Sequence, residues 1–119
     1  MNINQGEIWL VDFENNQNQD LTKLIPVVVI NDDRVGKFGI KIVVPIREWK
    51  DRYKSYPWII KLTTNNENML EKDSSIDCFQ VKNCSSNNFH NKIGIINKNL
   101  MKEVHRTIVK TLNPVYKID

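Results

Sequence analysis

The chain has 119 residues, of which 40% are apolar and 26% charged, and its formal net charge is +3. That is the length of one domain and the composition of a soluble protein with enough apolar residues for one core. No apolar run approaches the ~18 residues of a membrane span, and the start MNINQGEIWL carries no secretory-signal pattern, so a single cytoplasmic domain over 1–119 is expected.

Glu7–Phe13, EIWLVDF, is apolar on both faces and reads as a largely buried strand, with Gly6 permitting a tight approach to it. The amide-rich ENNQNQDLTK reads as a mobile loop. Ile25–Ile30, IPVVVI, is a β-branched strand whose Pro26 suits its first residues, because proline cannot donate a ladder hydrogen bond. NDDRVGKFG reads as a turn. Lys41–Ile46, KIVVPI, is the third strand with Pro45 near its exit, and 47–56 is read as a basic loop. Trp58–Leu62 is the fourth strand, and TTNNENMLEKDSS a polar connection. Ile76–Lys82 alternates and reads as a half-buried strand. Asn83–Asn91 is polar, and Lys92–Ile96 fits a short strand or a helical turn.

The clearest helix is Asn99–Leu112, where Leu100, Val104, Ile108 and Leu112 recur every four residues, flanked by Met101 and Thr111. Asn97 or Asn99 can cap its start, and Pro114 stops it. These elements predict a mainly β fold: a small curled sheet or barrel of five to seven strands with a C-terminal amphipathic helix packed on it.

The sequence holds no P-loop, dinucleotide fingerprint or paired-histidine metal motif. Cys78 and Cys84 lack a CxxC spacing and read as reduced thiols; a zinc site needs more Cys and His than are present, and no metal or cofactor is expected. His105 reads as a surface helix residue, while His90, in a polar loop, is a weak candidate for a general base. Charge is concentrated between Lys41 and Lys61, where six cations face Glu48 and Asp51 for a local net of +4, interleaved with Trp49, Tyr53, Tyr56 and Trp58. Such a mixture suits single-stranded nucleic acid, cations meeting phosphates and rings meeting unpaired bases. It equally suits a solvated loop whose aromatic residues fold back on the core.

Taken in order, GEIWLVDF, IPVVVI, KIVVPI with its charged sequel, YPWIIKL, and DSSIDCFQVKN followed by NNFHNKIG resemble the MazF/PemK family of toxins from type II toxin–antitoxin systems, over about residues 5 to 114. The resemblance implies an SH3-like curled β-barrel, a symmetric homodimer, and a metal-independent endoribonuclease acting on single-stranded RNA. In that chemistry the ribose 2′-OH attacks the adjacent phosphate. It also implies a cognate antitoxin whose acidic disordered tail occupies the RNA groove, which the +4 stretch suits.

The sequence departs from the family where chemistry is expected. Ile25 stands where the family usually has an Arg before the proline, Arg47 where it usually has Thr or Ser, and Asn88 where many members carry Arg. At these altered positions, place and charge make Arg47 the candidate phosphate cation, Asp77 or a nearby group the base and Lys23 a further cation, and Trp49, Lys50, Arg52, Lys54, Gln80 and Lys82 the candidate RNA-binding residues. The alternative for Arg47 and Asp77 is a plain salt bridge on a diverged scaffold. For the whole chain, the alternatives are a homologue that binds RNA or antitoxin without cutting, and a protein-targeting toxin like the gyrase poison CcdB, which shares the fold.

Overall fold

The computed structural model describes residues 2–13, 23–35 and 39–115. The loop expected at 14–23 lies outside the described residues except for Lys23, as do residues 36–38 of the turn expected at 31–39.

Seven strands and one helix make up the fold: β1 (Glu7–Val11), β2 (Ile25–Val29), β3 (Ile40–Glu48), β4 (Ile59–Leu62), β5 (Ser74–Asp77), β6 (Lys82–Ser85), β7 (Phe89–Ile95) and α1 (Lys98–Leu112). The strands form one antiparallel sheet in the order β4-β5-β3-β2-β1-β7, with β6 also paired to β3. The expected mainly β architecture holds, and the sheet stays open rather than closing into a barrel, because its end strands β4 and β7 do not pair. No helix among the described residues is long and apolar enough to cross a membrane.

The central strands are apolar on both faces because each face covers its own core. Ile8, Val28, Val44, Ile46 and Ile76 pack with Met101 and Val104 of α1. Trp9, Val11, Val27, Val29 and Val43 pack on the other face with Cys84 and Phe89. Gly6, at φ 87°, makes the tight approach expected of it. Its N–H donates to Val29 O at 2.8 Å and its carbonyl accepts from Ile96 N at 2.8 Å.

Glu7 is buried, and its Oε1 accepts from Asn4 N at 2.8 Å and Trp9 Nε1 at 3.1 Å, while Oε2 lies 2.8 Å from Lys92 Nζ. Burial pushes this carboxyl up, but the bonds from Lys92, Asn4 and Trp9 outweigh it and hold the group below the ordinary carboxylate range. Two of the motifs read from the sequence, GEIW and NKIG, are thus joined through one ion pair.

β3 is longer than expected and runs through Pro45 to Glu48. The reason is where the missing N–H falls. Trp49 N–H points toward the β5 side, bonding to Asp73 O. Residues two apart in a strand point the same way, so the nitrogen of Pro45 faces that side too. There β6 pairs only as far as Val43 and β5 only from Ile46, so no ladder bond is lost. The expected basic loop is therefore a strand end, Arg47 and Glu48, followed by a 3-10 turn at Asp51–Ser55.

The strand expected at Ile76–Lys82 is two strands and a reversal. Asp77 Oδ1 accepts from Phe79 N at 3.1 Å and Oδ2 from Gln80 Nε2 at 2.8 Å, a side-chain turn that ends β5 and sends the chain to β6. The alternating pattern of IDCFQVK imitates a strand, but a local carboxylate overrides it. The polar stretch 83–91 likewise holds the end of β6, a 3-10 turn and the start of β7, and His90 sits exposed on β7 rather than in a loop.

The helix begins with Asn97, whose side chain accepts from Leu100 N at 2.8 Å. Replacing Asn97 by Ala is expected to cost about 1 kcal/mol, read as a lower urea midpoint at unchanged slope. Leu100, Val104 and Ile108 pack on the sheet as expected, but Leu112 is 74% exposed. Four residues turn a helix by about 400°, so a strict four-residue stripe drifts, and by its fourth member it has rotated about 120° off the buried face. Met101 takes the buried place instead. His105 is half-buried rather than a free surface group: its Nε2 lies 2.8 Å from Ile30 O and must carry the proton there, since a carbonyl only accepts.

Candidate functional site

Strand register gathers several of the candidate residues on one face. Across β4, β5 and β3, Lys61 pairs with Ser75 and Ser75 with Arg47. On the other side of β3, Val27 pairs with Pro45, so two residues further Ile25 stands level with Arg47, and Ile25 itself pairs with Val11. One row thus reads Lys61, Ser75, Arg47, Ile25, Val11. Lys61 and Arg47 are exposed at its polar end. Ser75 is buried and its Oγ donates to Arg47 O at 3.1 Å, so this hydroxyl holds the backbone of the row and is not a free nucleophile.

Asp77 lies two residues beyond Ser75 on the same face, diagonal to Arg47. Such diagonal neighbours stand about 7–8 Å apart, within joint reach of one phosphodiester. No ion pair joins them among the described residues; both Asp77 oxygens accept bonds from the turn they organise. The structure thus replaces the expected alternative of an Arg47–Asp77 salt bridge by a guanidinium and a carboxylate held separately. Gln80, bonded to Asp77, belongs to the same group. Lys82 pairs opposite Val43 further along β3 and sits 4.9 Å over the Phe13 ring. Lys23 is exposed two residues ahead of β2.

Trp49 extends the face past Arg47. It is half-buried, with Lys61 Nζ 5.2 Å from its ring centroid and Tyr53 edge-on at 5.8 Å, and its Nε1 is buried without a partner. From it a chain of rings runs outward: Tyr53 to Tyr56 at 5.8 Å, then Tyr56 stacked on Trp58 at 5.1 Å and 11°. Arg52 lies 5.4 Å over the Tyr53 ring, and Lys50, Arg52 and Lys54 are exposed around it. Lys61 and Tyr56 were counted in the basic, aromatic stretch of the sequence but not assigned to the site. Only cross-strand pairing places Lys61 beside Arg47, and linear spacing carries no trace of that.

The thiols take no part. Burial, then the neighbouring charges of Asp77 and Glu103, push Cys78 up to about 12, and burial with Asp12 pushes Cys84 up to about 11. Both are therefore protonated and inert near neutrality. Among the described residues no three His, Cys, Asp or Glu side chains gather as a metal site would require.

A family model described as PemK-like, MazF-like toxin of type II toxin–antitoxin system matches residues 4–112. Among curated proteins, an endoribonuclease MazF of Staphylococcus saprophyticus is 24% identical over 106 residues, covering 89% of this chain and 88% of that protein. Among solved structures, an endoribonuclease in complex with its cognate antitoxin from a mycobacterial species superposes with a TM-score of 0.72, at 8% identity over 97% of this chain and 99% of that one. The Mycobacterium tuberculosis toxin MazF-mt6 gives 0.72 at 14% identity over 92% of this chain and 99% of that one. MazF from Deinococcus radiodurans gives 0.71 at 12% identity over 96% and 99%.

Proposed function

Because the chain belongs to the PemK-like, MazF-like toxins of type II toxin–antitoxin systems, we propose that it is an endoribonuclease that cuts single-stranded RNA without a metal ion, at the Arg47–Asp77 face. The observation that carries this is the row. Continuing the β2–β3 register two residues past its last pair, Val27–Pro45, brings Ile25 level with Arg47, so a guanidinium on β3 stands in for the one the family usually places on β2 and serves the same face.

The roles follow from position and chemistry. Arg47 is permanently charged and binds a phosphate through two parallel donors, so it meets the charge that builds on the phosphorane. Asp77 accepts the proton of the ribose 2′-OH as that oxygen bonds to phosphorus. The bond to the 5′-oxygen breaks, and that oxygen leaves as a hydroxyl on taking a proton from water. The products carry a 2′,3′-cyclic phosphate and a 5′-OH. Lys61 and Lys23 add charge on either side of Arg47. Trp49, Lys50, Arg52, Lys54, Gln80 and Lys82 hold the strand. The protein works in the cytoplasm as a symmetric homodimer, since a two-fold needs only one self-complementary patch. A cognate antitoxin covers the same cationic face with an acidic tail.

Lys54 is exposed on the 3-10 turn, away from the reacting atoms. Lys54→Ala is expected to weaken RNA binding and lower the slope of log Kd against log salt by about 0.7, the value of one lost phosphate contact on a single strand, with kcat nearly unchanged. A titration at several salt concentrations reads this directly.

The bonds that commit both Asp77 oxygens to the turn favour one other reading, a homologue that binds without cutting. Induction in a host without the antitoxin separates the possibilities. Growth arrest with discrete new 5′ ends in primer extension on total RNA is expected. Arrest with intact RNA points to a protein target, and unimpeded growth to the non-cutting homologue.

A further inference from the structure

Breaking the bond to the 5′-oxygen produces an alkoxide, a strong base that makes the step slow unless a proton arrives as the bond breaks. An in-line displacement sets the attacking and leaving oxygens on opposite sides of phosphorus. The group that takes the first proton and the group that gives the second must therefore flank the phosphate from opposite sides. Asp77 is the acceptor, and strand register fixes the side it takes.

β3 and β5 run antiparallel with Arg47 opposite Ser75. Asp77, two residues on from Ser75, lies to one side of this pair. Trp49, two residues on from Arg47, lies to the other, where its N–H bonds to Asp73 O. All four share one face, since residues two apart point the same way. Lys61 enters that face from β4, opposite Ser75. Its ammonium is 5.2 Å from the centroid of the Trp49 ring, so the side chain leans across β5 toward Trp49 and away from Asp77. Ser75 gives it room: it is small, 1% exposed and bonded through Oγ to Arg47 O, which leaves a low place between the two cations.

The contact with Trp49 also suits a proton donor. A ring face attracts an ammonium but leaves its N–H groups free, whereas a carboxylate partner would engage them. Asp73, the next residue of this face on β5, accepts at Oδ1 from Thr64 N at 3.1 Å, and among the described residues Lys61 makes no ion pair.

We propose that Lys61 is the general acid of the cleavage. Its ammonium gives a proton to the 5′-oxygen as the bond to phosphorus breaks, becomes an amine, and takes a proton back from water. Asp77 returns to water the proton it took from the 2′-OH, so the protons balance, with water as their source and Lys61 as the group that delivers one. An ammonium is a much stronger acid than an alcohol, so the transfer runs downhill. Trp49 is a positioning residue for this step. The assignment rests on the endoribonuclease reading above.

The test uses two strands of 2′-O-methyl nucleotides with one ribonucleotide, placed at a linkage the wild type cuts. In one strand the bridging 5′-atom there is oxygen, in the other sulfur. A thiolate is a weak base and leaves without a proton. Lys61→Met, which keeps an unbranched stem on Trp49, is expected to lower the single-turnover rate on the oxygen linkage about a hundredfold. On the sulfur linkage the loss should be less than about tenfold, the share of the lost charge alone. Lys61→Arg keeps the charge but holds its protons too tightly to give one up, so it should be as slow as Lys61→Met on oxygen. Arg47→Ala should be slow on both. Lys61 is exposed on a strand at the end of the sheet, so its variants should melt as the wild type does.

Equal losses on the two linkages, or an oxygen rate restored by Lys61→Arg, would make Lys61 a charge and not an acid. A wild-type oxygen rate in Lys61→Met would remove it from the step altogether. Each of these overturns the proposal while the wild type still cuts. A wild type that cuts no RNA overturns the cleavage reading and the proposal together.

Discussion

Arg47→Ala is expected to lower the rate of RNA cleavage in EDTA-containing buffer by a hundredfold or more, while RNA binding falls far less. Removing one preorganised donor from a developing anion typically costs about a hundred- to a thousandfold in rate. The row's other cation, Lys61, stands two strands away across Ser75, so it does not take the place of Arg47. The row also permits a relocation. Arg47→Thr alone should be as inactive as Arg47→Ala, and adding Ile25→Arg should recover much of the lost rate by returning a guanidinium to the neighbouring strand. Single-turnover rates at saturating protein separate this from a change in binding. If Arg47→Ala cuts at the wild-type rate, the cation is elsewhere.

Gly94→Ala is expected to destabilise the fold strongly although it adds a single methyl. Gly94 lies on β7 opposite Ile8, and a Cβ there would meet Glu67 O at 2.5 Å, Asn68 O at 2.6 Å and Asn68 C at 2.7 Å. All three are backbone atoms, so no rotamer relieves the clash. The backbone cannot drift away either. Asn68 is fully buried, donates from Nδ2 to Thr63 O at 2.9 Å and accepts at Oδ1 from Leu70 N at 3.1 Å, while Asn65 Oδ1 accepts from Asn68 N at 2.8 Å. Glu67 O also accepts from Ile95 N at 3.0 Å. Overpacking a well-filled site costs about 1–3 kcal/mol, more when the surroundings cannot give, so a loss of about 3 kcal/mol and a fall in Tm of roughly 10 °C are expected. A melting curve within 2–3 °C of wild type, on the same scale, would mean that the 63–70 loop yields easily.

What the sequence revealed and what it hid follow from range. Runs such as IPVVVI and the helix stripe are local, and they formed where periodicity put them, give or take a residue or two. Errors arose where a local pattern met a tertiary or side-chain constraint. IDCFQVK alternates like a strand, yet the Asp77 carboxylate turns it. Leu112 fits a four-residue count but not a 3.6-residue helix. The candidate site was half legible: Arg47 and Asp77 stand out as residue types, while their diagonal placement, and Lys61 level with Arg47, exist only through register. The place of Gly94 was likewise hidden, since nothing near it in sequence shows the 63–70 loop crossing above it.

The most direct measurement is incubation of the purified wild-type chain with a long single-stranded RNA in EDTA, followed by analysis of the fragment ends. Cleavage at discrete sites, leaving 2′,3′-cyclic phosphate on one fragment and 5′-OH on the other, is the result expected of the Arg47–Asp77 face. RNA that is bound but left intact, or fragments ending in 5′-phosphate and 3′-OH, would contradict it.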